Sequence, residues 1–277
     1  MTRPFTKTVA LIGGTGLVAE MRRIPLAGTR VHNDVSVAFG ARTGRVLQYV
    51  EGFHDDLRVI LLPRHGPSLE GPDRSPAMLV NDLGHEAHIW LFHQLGVSAV
   101  YSFCAVGALD LDVPLASARC FVVPNAYGRG LGATVHSFGA LAKTVHPSMR
   151  EPFSPVLRAH ALAAIEAAGA TAISNALLIN SGPDQFETAA EVRATKRLYE
   201  GEPHRLVGMT AGPELVLCRQ MELPYAVICA NANYAEGICE DTPVSHDLVV
   251  NTLQGAADTL LEIATHLIRI EASHSTG

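Results

Sequence analysis

The residue types best suited to chemistry crowd into residues 180–233, through NSGPDQFET, VGMTAGPE and PYAVICANAN. Phe186 offers an aromatic plate, Glu187 a carboxylate, Met209 a thioether beside the Thr210 hydroxyl, and Asn233 a carboxamide. Together they suit a purine ring, a pentose and a phosphate. Two earlier stretches add groups for an anion. Residues 8–12 (TVALI) read as a buried strand running into Gly13-Gly14-Thr15-Gly16, and such a loop turns bare amides toward a phosphate. Residues 57–62 read as another strand, which delivers Pro63-Arg64-His65-Gly66 ahead of a Gly/Pro-rich loop, GPSLEGPDRSP. Arg64 and His65 are two potential cations at a carboxyl end, and the planar arginine fork matches a phosphate.

The glycine loop has a rival reading. Gly14-x-Gly16-x-x-Ala19 satisfies a dinucleotide fingerprint, and Asp34 lies about twenty residues on, where a ribose-binding acid is expected. A dinucleotide unit also needs a full helix after the loop and a second apolar strand ending at the acid. LVAEMRRI is stopped by Pro25, and AGTRVHN before Asp34 does not read as a strand, so a nicotinamide-dependent oxidoreductase is disfavoured. The helical stretch 83–95 carries His85-Glu86-Ala87-His88, whose spacing is not that of a metalloprotease zinc helix; a surface or inter-subunit role is expected, and no metal.

The elements that must position these groups follow from periodicity. Residues 35–39, 46–50 and 57–62 read as successive strands, with Gly40 and Gly44 at the first turn and residues 52–56 at the second. Residues 99–104 and 120–123 are further strands, joined through Ala105-Val106-Gly107-Ala108 and a loop; residues 153–168 form a helix and 172–179 a strand. Val244 or Ser245 opens a long terminal helix. Strands first, then helices alternating with strands, imply an α/β fold: one mixed sheet covered by helices, in a single domain over residues 1–277.

Composition excludes several partners. A net charge of −6 leaves no basic footprint for nucleic acid or an anionic membrane, so a small molecule is the expected partner. No apolar run approaches the roughly 18 residues of a spanning helix, and MTRPFTKT lacks the apolar core of a secretion signal, so a cytoplasmic location is expected. Five cysteines without CxxC spacing, mostly in apolar segments, read as reduced core residues.

Taken together, IGGTGL (12–17), PRHG (63–66), AVGAL (105–109), HPSMREPF (146–153), GPDQFETAAE (182–191), GMTAGPE (208–214) and ANAN (230–233) resemble the trimeric purine nucleoside phosphorylases, and among them the methylthioadenosine phosphorylase branch. The resemblance implies a partly barrel-like mixed sheet flanked by helices. It implies a pentosyltransferase that uses inorganic phosphate as co-substrate, without metal or organic cofactor, to cleave a nucleoside to free base and sugar 1-phosphate. Carried over, Thr15, Arg64, His65, Thr210 and the Ala105 amide would hold phosphate; at Cys104 relatives often have a hydroxyl. Phe186 would stack on the purine, although the Gly182-Pro183-Asp184-Gln185-Phe186 loop is one residue longer than in relatives. Met209 would pack under the sugar. His246 would face the sugar 5′-hydroxyl, and His146 would reach a neighbouring subunit's site in a homotrimer. Asn233, Glu187 and His65 would be the catalytic groups.

The base-reading pair departs from that branch. Methylthioadenosine enzymes carry a TDYD-like segment, whereas this chain reads Ala232-Asn233-Tyr234-Ala235. An asparagine amide can donate to O6 and N7, and Glu187 can accept from N1–H, so the pair suits a 6-oxopurine. The resulting expectation is a phosphorylase of 6-oxopurine nucleosides of the inosine or guanosine type; the alternative is a methylthioadenosine or methylthioinosine phosphorylase.

Overall fold

Apolar runs ended by glycine decide where the central strands lie. The computed structural model describes residues 7–68, 73–239 and 243–274, so residues 69–72 of the GPSLEGPDRSP loop fall outside it. In chain order the elements are β1 (Lys7–Gly13), α1 (Val18–Met21), β2 (Ala27–Phe39), β3 (Arg42–His54), β4 (Leu57–Pro63), α2 (Pro76–Asn81), α3 (Gly84–Gln94), β5 (Ala99–Ala108), β6 (Cys120–Val122), β7 (Ala126–Arg129), α4 (Pro155–Ala167), β8 (Thr171–Ile173), β9 (Leu177–Asn180), α5 (Ala189–Leu198), β10 (Arg205–Gly208), α6 (Ala211–Gln220), β11 (Tyr225–Tyr234), α7 (His246–Gln254) and α8 (Ala257–Ser273).

One mixed sheet of 11 strands results, in the order β2-β3-β4-β1-β5-β10-β9-β7, with β11 also on β5, then β6 and β8. β1, β4, β5 and β11 run parallel, which brings their carboxyl ends to one side. β5 and β11 are buried almost end to end, as strands covered on both faces must be. Their side chains alternate between two apolar layers. Ala10, Ile12 and Val100 pack toward Ile89 and Phe92 of α3 and Leu215 of α6. Val9, Leu11 and Tyr101 pack toward Leu157 of α4, Leu253 of α7 and Ile263 of α8. Each fully buried Leu, Ile or Phe is worth roughly 1.5–3 kcal/mol, so these layers hold the helices to the sheet.

The single α/β fold agrees with the sequence reading, but the sheet branches at β5 and does not close, which corrects the barrel-like expectation. AGTRVHN is a strand after all, the first part of β2. It has little apolar surface, and its order comes from antiparallel cross-strand pairs with β3: Asn33 accepts from Gln48 at 2.7 Å, His32 stacks on Tyr49 at 4.3 Å, and Asp34 pairs with Arg45. The dinucleotide reading fails on different grounds, because β2 lies at the sheet edge beside β3 and not beside β1. Gly44 and Gly52 sit inside β3 rather than at turns, and Ala105 to Ala108 continue β5 instead of leaving it. The expected strand 172–179 divides into β8 and β9, and the terminal helix breaks near Gly255 into α7 and α8.

His85, Glu86 and His88 are buried within the chain, contrary to the surface or inter-subunit role expected for them. α3 is covered by β3, α2 and α6, and Glu86 accepts a hydrogen bond from His136 Nδ1 at 3.0 Å. All five cysteines are free, four of them buried and Cys239 partly exposed. No helix among the described residues is long and apolar enough to cross a membrane.

Candidate active site

At the carboxyl ends of the parallel strands lies a cavity of about 430 Å³. The crevice beyond a parallel sheet's carboxyl edge is where open α/β sheets bind ligands. Thr15 follows β1; Arg64 and His65 follow β4; Ala105 and Gly107 belong to β5; Met209 and Thr210 follow β10; Asn233 ends β11; His246 opens α7; Phe186 and Glu187 precede α5. All ten of the candidate residues among these line the cavity. His146 does not; it is exposed in the irregular segment between β7 and α4.

Arg64 is the most constrained of them. Its backbone N–H donates to the Gly13 carbonyl at 2.9 Å, and its guanidinium is 1% exposed. Nη1 donates to the Phe103 carbonyl at 3.3 Å, and Nη2 to Ser102 Oγ at 2.6 Å and Cys104 Sγ at 3.1 Å. Nε and Nη2 both face the Glu214 carboxylate. Burial opposes the charge, and the neighbouring Cys104 sulfur and Glu214 carboxylate more than restore it, so the pKa lies above that of a free guanidinium. Position 14 has to be glycine for this to happen. A Cβ there would sit 2.4 Å from Arg64 Nη1 and 2.8 Å from the Phe103 carbonyl oxygen.

His65 is neutral, which corrects its reading as a second cation. Burial, then the Arg64 charge, push its pKa down to about 4. Nδ1 faces the Arg74 carbonyl at 2.9 Å, and a carbonyl only accepts, so Nδ1 carries the proton and Nε2 is left as an acceptor. The sign of the linkage follows. Stability is complete above the unfolded value near 6.5 and falls as the pH drops toward the folded value, because the unfolded chain takes up the proton first. Between pH 7 and pH 5 the wild type should lose about 2 kcal/mol more than His65→Gln, read from urea midpoints. Equal losses would show that His65 is not held neutral.

The other groups are set by local backbone devices. Thr188 N-caps α5 through a reciprocal capping box with Glu191, which fixes the chain one residue after Glu187. Ser245 caps α7, placing His246 in its first turn with Val249 one turn on, and both line the cavity. Thr210 begins α6 without using its side chain as a cap; its hydroxyl lies 3.7 Å from Cys104 Sγ, and the residue lines the cavity beside a helix N-terminus. Phe186 stands 38% exposed on the longer loop. β11 skips register between Asn231 and Asn233, and such a bulge re-aims a side chain. Asn231 turns to the Val113 carbonyl at 3.0 Å, whereas Asn233 lines the cavity against Gly107. Asn233 Nδ2 donates to the Tyr234 carbonyl at 3.0 Å. One carboxamide hydrogen is thus engaged and one remains, which limits the expected double donation to a base.

Of the groups lining the cavity, an arginine and two threonine hydroxyls beside a glycine loop can hold an oxyanion, and an aromatic ring, a carboxylate and a carboxamide can hold a heteroaromatic base. Residues 8–269 match the model of the phosphorylase superfamily. The chain belongs to that superfamily. Among relatives of this phosphorylase, a protein of Thermodesulfovibrio yellowstonii named a probable S-methyl-5′-thioinosine phosphorylase is 30% identical, over 74% of this chain and 72% of its own length. The S-methyl-5′-thioadenosine phosphorylase of Chloroflexus aurantiacus is 28% identical, over 94% of this chain and 84% of its own. The fold matches that of the methylthioadenosine phosphorylase of Schistosoma mansoni, solved with adenine, at a TM-score of 0.77 and 22% identity, over 96% of this chain and 92% of the other.

The superfamily motifs did not single out Glu214, Ser102 or Tyr225, the residues that enclose the Arg64 guanidinium. Their only sequence signal is an acid in the first turn of an apolar helix, in GMTAGPE. Ser75 and Pro76, which end the GPSLEGPDRSP loop, and Ala77 in the first turn of α2 also line the phosphorylase cavity, though none of them was a sequence candidate. Among the described residues, no group of three or more His, Cys, Asp or Glu is disposed to hold a metal ion.

Proposed function

We propose that this phosphorylase cleaves a 6-oxopurine nucleoside carrying a 5′-methylthio group, S-methyl-5′-thioinosine, with phosphate as the attacking co-substrate and no metal or organic cofactor. One observation carries the reading: Asn233 and Glu187, a donor and an acceptor suited to a 6-oxopurine, line the same cavity as Arg64 and Thr210. Phosphate sits between Thr15, Arg64, the Ala105 amide and Thr210, and the neutral His65 accepts through Nε2 a hydrogen bond donated by a protonated phosphate oxygen. The anion lies under the sugar, where its charge stabilises the cationic, oxocarbenium-like transition state in a partly dry site. Phe186 covers the base and Met209 the sugar. Glu187 accepts from N1–H, and the remaining Asn233 hydrogen meets the charge that develops on the leaving purine.

The 5′ end separates this substrate from inosine and guanosine. His246 by itself favours a 5′-hydroxyl, but Val249 beside it offers apolar surface for a thioether, and relatives named for methylthio substrates weigh toward the thioether. His246→Val should favour the 5′-methylthio over the 5′-hydroxy nucleoside by roughly 1–2 kcal/mol in kcat/KM; an unchanged ratio would remove His246 from the 5′ end. A cytosolic homotrimer fits the exposed His146 and its exposed apolar neighbours Leu131, Val135, Leu141 and Val145. In that assembly, mixed His146→Ala and Asn233→Ala subunits would regain part of the activity. The test of the reaction itself is release of hypoxanthine from S-methyl-5′-thioinosine with and without phosphate, with the sugar 1-phosphate identified as the second product. Base release at the same rate without phosphate rejects phosphorolysis.

A further inference from the structure

Glu214 is fully buried in the first turn of α6 and does not line the cavity, yet both of its oxygens are occupied by Arg64, which does. Oε1 accepts from Arg64 Nε. Oε2 accepts from Arg64 Nη2 at 3.2 Å, from Ser102 Oγ at 2.7 Å and from Tyr225 OH at 2.9 Å. Ser102 Oγ in turn accepts from Arg64 Nη2 at 2.6 Å and donates its single proton to Glu214 Oε2, with Cys104 Sγ farther off at 3.4 Å. Four elements, β4, β5, α6 and β11, therefore meet on one carboxylate.

From this geometry we infer that Glu214 is the positioning residue for Arg64: it takes the Nε and Nη2 edge of the guanidinium and leaves Nη1, beside Gly14, which gives one hydrogen to the Phe103 carbonyl and has its second to present to phosphate. The inference rests on the proposed phosphorolysis. Charge and orientation oppose each other here, which makes the role separable from a merely electrostatic one. A carboxylate beside Arg64 weakens its attraction for an anion, so loss of that charge alone would tighten phosphate binding. Loss of the two-point clamp would let the guanidinium turn among Ser102, Cys104 and Phe103, and phosphate binding would weaken. Ser102 and Tyr225 matter because they fix the carboxylate itself. Tyr225 stands at the start of β11, packed near Phe153, and its hydroxyl has Glu214 as its partner.

The test is the KM for phosphate and for nucleoside in the wild type, Glu214→Gln and Tyr225→Phe. In Glu214→Gln the amide group would face donors, so the KM for phosphate should rise by about tenfold or more while the KM for nucleoside stays within about twofold. Tyr225→Phe, which keeps the charge and loosens the carboxylate, should raise the phosphate KM by about threefold. Phosphate KM values that are unchanged or lower in both variants would overturn the inference, and so would equal losses in the two KM values. If Glu214→Gln does not fold, Tyr225→Phe decides alone, by the same criterion. A wild type that releases base without phosphate would instead refute the phosphorolysis on which the inference rests.

Discussion

Arg64→Ala is expected to lower stability by about 3–5 kcal/mol and to weaken phosphate-dependent turnover by a few kcal/mol as well. The two effects have separate causes. Arg64 and Glu214 are 1% and 0% exposed, so deletion of the arginine leaves a carboxylate buried with only Ser102 and Tyr225 hydroxyls for company. That uncompensated charge is the stability cost. The expected loss of turnover reflects the charge-assisted contact to phosphate proposed for Arg64. Arg64→Ala combined with Glu214→Gln should recover much of the stability in urea and none of the activity. Arg64→Lys should restore activity only in part, because a point charge cannot span Glu214, Ser102 and phosphate at once. If Arg64→Ala melts like the wild type, the buried pair contributes nothing to the fold. If it turns over normally at low phosphate, Arg64 is not a phosphate ligand.

Asn233→Asp should move the choice of base. The wild-type carboxamide has one hydrogen on the Tyr234 carbonyl and one uncommitted, which the proposed reading gives to the purine. An ionised aspartate would set an oxygen against that carbonyl and another against the lone pairs of a 6-oxopurine. Each unmet contact in the pocket costs on the order of 1–3 kcal/mol. The same carboxylate can accept from a 6-amino group, so the ratio of kcat/KM for S-methyl-5′-thioinosine over S-methyl-5′-thioadenosine should fall at least about tenfold. Glu187 limits the switch, since it favours a protonated N1, and complete conversion should need a second change there. The ratio at saturating phosphate, measured in both proteins, is the readout; an unaltered ratio would mean that Asn233 does not read the base.

Most of the candidate site's lining was legible because it sits where apolar strands run out into glycine or polar residues. TVALI into Gly13-Gly14-Thr15-Gly16, and β4 into Arg64-His65, are local signals, and the structure brings them together with Thr210 and Asn233 in one cavity. What stayed hidden depends on contacts between distant elements. The protonation of His65 is decided by burial and by the Arg74 carbonyl, neither visible in PRHG. Glu214 closes the GMTAGPE motif with no role assigned to it from sequence, because its partners Ser102 and Tyr225 come from the distant strands β5 and β11. The strand character of AGTRVHN likewise comes from its partner β3, not from its own pattern. The buried histidines of α3 escaped for the same reason: polarity in a helix says nothing about which neighbours will cover it.

The most direct test of a 6-oxopurine phosphorylase is competition between S-methyl-5′-thioinosine and S-methyl-5′-thioadenosine at equal concentration, in saturating phosphate and in phosphate-free buffer. Asn233 and Glu187 predict that hypoxanthine is released at least about tenfold faster than adenine, and that neither base is released without phosphate. Adenine released as fast as hypoxanthine, or either base released in the absence of phosphate, would contradict that assignment.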